Sequence, residues 1–113
     1  MLDSLAKILS ELKLNLARTL GDNLYLVTLY GSYARDEAIE GSDVDLLVVL
    51  KESTAEDEAL VRKIVYDTMW QVDFAYYLAL FLIDEPHYRT LKQRGASIFK
   101  NIQNEGQVLW SAT

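Results

Sequence analysis

The order of helical and strand-like segments predicts an α/β (α+β) domain: a small mixed β-sheet with helices packed on it. Two observations carry that prediction. Leu2, Leu5, Ile8, Leu9, Leu12, Leu16 and Leu20 recur at helical spacing and stop at Gly21-Asp22-Asn23, which defines one amphipathic helix over residues 2–20. Two runs of strand character follow, at residues 24–30 and 44–50, the second ending in the unbroken apolar stretch Leu46-Leu47-Val48-Val49-Leu50. A chain of 113 residues, 50% hydrophobic and 25% charged, buries one core, so residues 1–113 form a single domain.

Between these strands the sequence predicts a tight turn at Gly31-Ser32 and a short helix in the polar stretch after it. Ser53 and Thr54 open a helix over residues 55–68, whose Leu60, Ile64 and Val65 share one side and whose Glu56-Asp57-Glu58 suits the positive end of the helix dipole. Asp73, in Gln71-Val72-Asp73-Phe74-Ala75-Tyr76, opens or occupies a third strand. Pro86 fits a first helical turn, with that helix running to Gly95 and another from Ala96 to about Gln103. Gly106 ends it, and Gln107-Val108-Leu109-Trp110 adds a short edge strand.

A net charge of −6 and a pI near 4.6 argue against binding long nucleic acids, which are held by basic surfaces. With no cysteine, disulfides and thiolate chemistry are excluded, which fits a reducing cytoplasm. The N-terminus lacks the basic start and long apolar core of a secretion signal. The longest apolar run, Phe74 to Ile83, is far shorter than the ~20 residues of a membrane span. The expected location is therefore cytoplasmic.

The chemistry concentrates around Asp43 and Asp45. Side chains two apart on a strand share a face, so these carboxylates lie side by side while Val44 turns into the core. Such a like-charged pair is sensible around a hard cation such as Mg2+, which takes oxygen ligands from one or two carboxylates and from substrate phosphates. Across a ten-residue gap upstream of the pair, Gly31 allows a close turn and Ser32 offers a hydroxyl and free amides to an anion. Arg35, Lys51 or Arg62 would add positive potential.

Gly-Ser, a ten-residue gap and Asp-x-Asp together resemble the signature of the DNA polymerase beta-like nucleotidyltransferase superfamily. With Gly31-Ser32-Tyr33-Ala34-Arg35 and Ser42-Asp43-Val44-Asp45-Leu46-Leu47-Val48 in so short a chain, the protein is similar to the minimal nucleotidyltransferase (MNT) family. That resemblance implies the polymerase beta-like fold and a third metal-binding carboxylate on a later strand, for which Asp73 is the candidate. It also implies two Mg2+ ions held by Asp43, Asp45 and Asp73, ATP as substrate with Gly31, Ser32 and Arg35 at the nucleotide, and transfer of AMP to a hydroxyl. The implied acceptor is a tyrosine of a HEPN-family toxin, with this chain as antitoxin. One departure stands out: glycine often follows the arginine in the family, whereas Asp36 follows Arg35 here, a further carboxylate near a triphosphate.

Each residue also has a plainer reading. Ser32 is a helix cap, Asp43 and Asp45 a turn residue and a solvated strand end, Asp73 an inert strand-start charge. Arg35 pairs with Asp36, Glu37 or Glu40 as readily as with a triphosphate. His87 is surface structure, and Trp70, Phe74, Tyr76, Tyr77 and Phe81 are core before they are a base-stacking box, though some of them suit an interface. The conjunction of Gly-Ser with Asp-x-Asp favours catalysis. Two rivals remain: a binder that neutralises its partner by occlusion, and a small-molecule nucleotidyltransferase of the aminoglycoside-modifying kind. Monomer and homodimer are both compatible with the sequence.

Overall fold

The computed structural model describes residues 3–112; Leu2, expected in the first helix, lies outside them. Helix α1 (Asp3–Leu20) passes through one 3-10 turn into strand β1 (Leu24–Tyr30), followed by β2 (Val44–Leu50), α2 (Ala55–Gln71), β3 (Leu78–Asp84), α3 (Glu85–Arg94), α4 (Ser97–Glu105) and β4 (Gln107–Ser111). The strands form one mixed sheet in the order β3-β2-β1-β4. β1 pairs antiparallel with both β2 and β4, and β2 pairs parallel with β3 through the α2 crossover.

Strand alternation divides the core into two layers. Val44, Leu46, Val48 and Leu50 of β2 face Leu5, Leu9, Leu12 and Leu16 of α1 and Val61 and Val65 of α2. Leu47 and Val49 face the other way, onto Phe99 and Ile102 of α4 with Ile83 of β3. β2 is therefore buried on both faces over most of its length, which is why it reads as a continuous apolar run.

The end of the sheet opposite Asp43 and Asp45 is closed by Asn23. Its Nδ2 donates to Glu52 O at 2.8 Å and to Asp57 Oδ2 at 2.6 Å, while Glu52 N donates to Asn23 Oδ1 at 2.8 Å. One side chain thus ties the start of β1 to the lead into α2. At roughly 0.5–1.5 kcal/mol per bond, Asn23→Ala is expected to cost about 2 kcal/mol in urea denaturation and to leave nucleotide affinity unchanged. A shift of affinity with stability would show that the two ends of the sheet are coupled.

Helix ends follow the sequence. Thr54 Oγ1 accepts from Asp57 N at 3.1 Å to cap α2, Asp84 Oδ1 accepts from His87 N at 2.9 Å to cap α3, and Gly95 closes α3 at φ 67°. His87 is exposed, as expected.

Three expectations are corrected. The stretch after Gly31-Ser32 forms consecutive turns and no helix, because Asp36 at φ 56° and Gly41 at φ 86° take the chain out of helical geometry. The third strand begins at Leu78, not around Asp73; α2 runs on to Gln71, and Asp73 and Phe74 follow it at φ 50° and 57°. Trp70, Phe74 and Tyr77 are not core: they are 57%, 39% and 56% exposed. Trp70 and Phe74 stack on each other and on the exposed Tyr66 at ring separations of 5.1–6.2 Å. Tyr76 and Phe81 do pack against the core layers.

Candidate active site

Asp45 sits near the start of β2, half-buried. It pairs across the sheet with Tyr30 on one side and with Ala79 on the other, and strand alternation puts those three side chains in one row on the α3/α4 face. Asp43, two residues earlier, is exposed beside Asp45, and Val44 is fully buried in the opposite layer. The adjacency expected from the sequence is present.

Gly31 meets this pair directly. It follows the last residue of β1 at φ 77°, and a β-carbon there would overlap Asp45 Oδ2 and lie 3.0 Å from Asp45 Cγ. Only glycine satisfies both the left-handed backbone and the approach of the carboxylate. The turn then closes with Ala34 N and Arg35 N donating to Gly31 O, at 3.1 and 3.3 Å, and Glu37 N donating to Ser32 O at 2.9 Å. These bonds begin at Ala34, so the N–H groups of Ser32 and Tyr33 stand outside the turn's own ladder. Ser32 is half-buried at the head of this turn rather than a cap of the expected helix.

The turn is pinned from the β4 edge of the sheet. Arg35 Nε and Nη1 donate to Glu37 Oε2 and Glu105 Oε2, each at 3.1 Å, and Gln107 Nε2 donates to Ala34 O at 2.9 Å. Arg35 therefore holds the turn to the end of α4, and its side chain remains one-third exposed. Glu105 and Gln107 were not legible as site residues, since nothing in their local sequence marks a contact some 70 positions away. Of the anticipated carboxylate partners of Arg35, Glu37 is found.

Electrostatics match the crowding. Burial pushes the Asp45 carboxyl above its ordinary range, the Asp43 charge pushes it further, and Arg35 pulls against both. Burial likewise raises the Tyr30 phenol, with the charge of Asp45 adding to it. A cation between Asp43 and Asp45 would relieve that repulsion, and their oxygen donors are the type a divalent ion of the Mg2+ kind takes. The residues present fit one such ion.

Asp73 does not join them. It is exposed in the turn after α2, five residues before β3, and its amide donates to Trp70 O at 3.1 Å. Among the described residues, no group of three or more acidic or histidine side chains gathers to hold a metal. Beside the turn opens a cavity of about 580 Å³ walled by Tyr33, Asp36, Ala38, Ile39, Glu40, Gly41, Ala75 and Tyr76. Tyr33 and Tyr76 meet edge-to-face there at 6.2 Å. No helix among the described residues is long and apolar enough to cross a membrane.

Residues 3–108 match the family model of the nucleotidyltransferase domain. The chain is 49% identical over 47 residues to a candidate protein adenylyltransferase of Methanocaldococcus jannaschii, covering 42% of this chain and 32% of that protein. A second candidate protein adenylyltransferase of the same organism is 41% identical over 59 residues, covering 51% of this chain and 60% of the other. The chain thus spans less than two-thirds of the length of either relative. The polymerase beta-like fold is shared with a chain in the structure of a tri-AMPylated Shewanella oneidensis HEPN toxin in complex with MNT antitoxin. That likeness has a TM-score of 0.51 and 18% identity, and covers 94% of this chain and 72% of the other.

Proposed function

Since the chain belongs to the nucleotidyltransferase domain family, we propose that it transfers AMP from ATP to a hydroxyl of a protein partner, a tyrosine of a HEPN-family toxin, and acts as its antitoxin. The observation that carries this reading is the contact of Gly31 with Asp45 beside Asp43, which puts an anion-binding turn and a pair of oxygen ligands at one point. The fold neighbour with an AMPylated HEPN toxin and the two adenylyltransferase relatives support the choice of acceptor and nucleotide.

In the reaction the acceptor oxygen attacks the α-phosphorus, the bond from that phosphorus to the β-phosphate bridge breaks, and pyrophosphate leaves as the acceptor proton passes to water. Asp43 and Asp45 would hold Mg2+, which when bound neutralises charge on the triphosphate. Ser32 Oγ and the amides of Ser32 and Tyr33 bind the terminal phosphates at the head of the turn, which Gly31 lets approach the Asp45 carboxylate. Arg35, fixed by Glu37 and Glu105, orients the turn and contributes positive charge. These groups orient the phosphorus for in-line attack, and that positioning is most of what phosphoryl transfer asks of a protein.

A second reading is favoured by the displacement of Asp73 from the site: nucleotide is bound but transferred slowly or not at all, and the partner is neutralised by occlusion. Incorporation from α-labelled ATP into proteins of a host extract, with Asp43→Ala and Asp45→Ala alongside, separates the two. A labelled protein band that vanishes in both variants is the expected result. Label in a small molecule instead would identify an acceptor of the aminoglycoside kind. No label, with ATP still bound, would overturn transfer and leave the occluding binder.

A further inference from the structure

We infer that this site takes a single divalent cation with its nucleotide, and that Ala79 is the position that keeps a second one out. The inference rests on the nucleotidyltransferase reading above and deepens it.

Strand register sets which side chains can share an ion with Asp45. Three adjacent strands present one row at its level: Tyr30 from β1, Asp45 from β2 and Ala79 from β3. β3 is an edge strand, so the row ends at Ala79. An oxygen ligand able to share an ion with Asp45 from the neighbouring strand has to stand at residue 79, where strands lie ~4.8 Å apart and adjacent side chains point the same way. Alanine carries no donor. Next along β3 on the same face is Phe81, packed edge-to-face on Phe99 at 6.0 Å, and the first acidic side chain of the strand is Asp84, committed to capping α3 at the far end. On the other flank stands Tyr30, a half-buried phenol and a poor ligand for Mg2+ beside carboxylates and phosphates.

Along these strands Asp43 and Asp45 are therefore the carboxylates at this end of the α3/α4 face. Mg2+ takes about six oxygens and is usually bound by one or two carboxylates plus phosphates and water. Asp43, Asp45 and a triphosphate satisfy that for one ion. A second ion would share the same two carboxylates and bring one more dication beside the first with no added negative charge to hold it.

The test is Mn2+ stoichiometry by electron paramagnetic resonance, on the full chain with α,β-methylene-ATP, an analogue that cannot lose pyrophosphate. Wild type is expected to bind one Mn2+ per nucleotide, Ala79→Asp two, and Ala79→Asn, which has the same shape without the charge, one. Ala79→Asp is also expected to raise AMP transfer by at least roughly tenfold, a modest gain beside what a positioned acid–base group usually adds. Two ions in wild type would overturn the inference while upholding the nucleotidyltransferase reading. One ion in all three proteins would overturn it as well, since residue 79 would not be the controlling position. Neither nucleotide nor Mn2+ bound would overturn the reading itself, and the inference with it. Folding of the variants is checked by the urea midpoint. Should Ala79→Asp unfold without metal, recovery of that midpoint by Mn2+ in the Asp but not the Asn variant would equally support a second ion held at residue 79, and equal recovery in both would overturn it.

Discussion

Asp45→Asn is expected to lower AMP transfer by about 10²-fold or more, the scale of losing a group fixed where charge must be stabilised, and at the same time to make the metal-free protein more stable. Both effects come from one crowded carboxylate. Burial and the neighbouring Asp43 raise its protonation midpoint in the folded chain, with Arg35 opposing them only in part. Its ionised form therefore opposes folding, and the contribution of the group is most favourable below the ordinary carboxylate range and is lost as pH rises through the raised midpoint. Asparagine has no charge to titrate. In EDTA the variant should unfold at higher urea than wild type at neutral pH, and the gap should shrink as the buffer is acidified through that window. Mg2+ with nucleotide should reverse the order at neutral pH, because only wild type keeps both ligands. A variant less stable than wild type at neutral pH in EDTA would mean that the carboxylate is held by favourable contacts and is not strained by Asp43.

Gly31→Ala is expected to be nearly as damaging to function and far more damaging to the fold. The residue is at φ 77°, where an L side chain costs about 1–3 kcal/mol, and its new methyl would overlap the Asp45 carboxylate. Overpacking of that kind adds a similar amount, so a loss of about 2–6 kcal/mol in urea denaturation is expected, with nucleotide affinity lost as Asp45 is displaced. Gly41→Ala is the control: φ is 86°, but open space surrounds the new methyl, so only the conformational cost of about 1–3 kcal/mol remains and affinity stays. Equal effects of the two substitutions would place the whole importance of Gly31 in its backbone.

The central pair of strands was legible because its signals are local. Val44 through Leu50 alternates between two buried layers, so the apolar run and the placement of Asp43 and Asp45 follow from one periodicity. Asp73 was misplaced for a physical reason. An apolar run broken by one aspartate resembles a strand start, but aspartate also tolerates the left-handed backbone, and here Asp73 together with Phe74 leads the chain out of α2 in that conformation. The true strand has no carboxylate facing Asp45 and so carried no mark of the site. The aromatic residues misled likewise: a strand around Phe74 and Tyr77 would turn alternate rings into the core, yet β3 starts only at Leu78, and Trp70 and Phe74 cover each other and Tyr66 on the outside. The pinning of the turn by Glu105 and Gln107 is a contact between distant parts of the chain, and local pattern does not encode it.

The double burial of β2 has a consequence for what an activity assay measures. Sliding this strand by one residue against β1 would send Asp43 and Asp45 into the layer beneath α1 and α2 and turn Val44, Leu46 and Val48 toward α4. Two buried carboxylates in that apolar layer would cost more than the fold can tolerate, so the slipped arrangement is no inactive relative of the native one but an unfolded chain. The candidate ligands and the core are written into the same alternation. Every molecule that is folded has its carboxylates on the right side, and loss of activity without loss of structure has to come from the ligands or the turn.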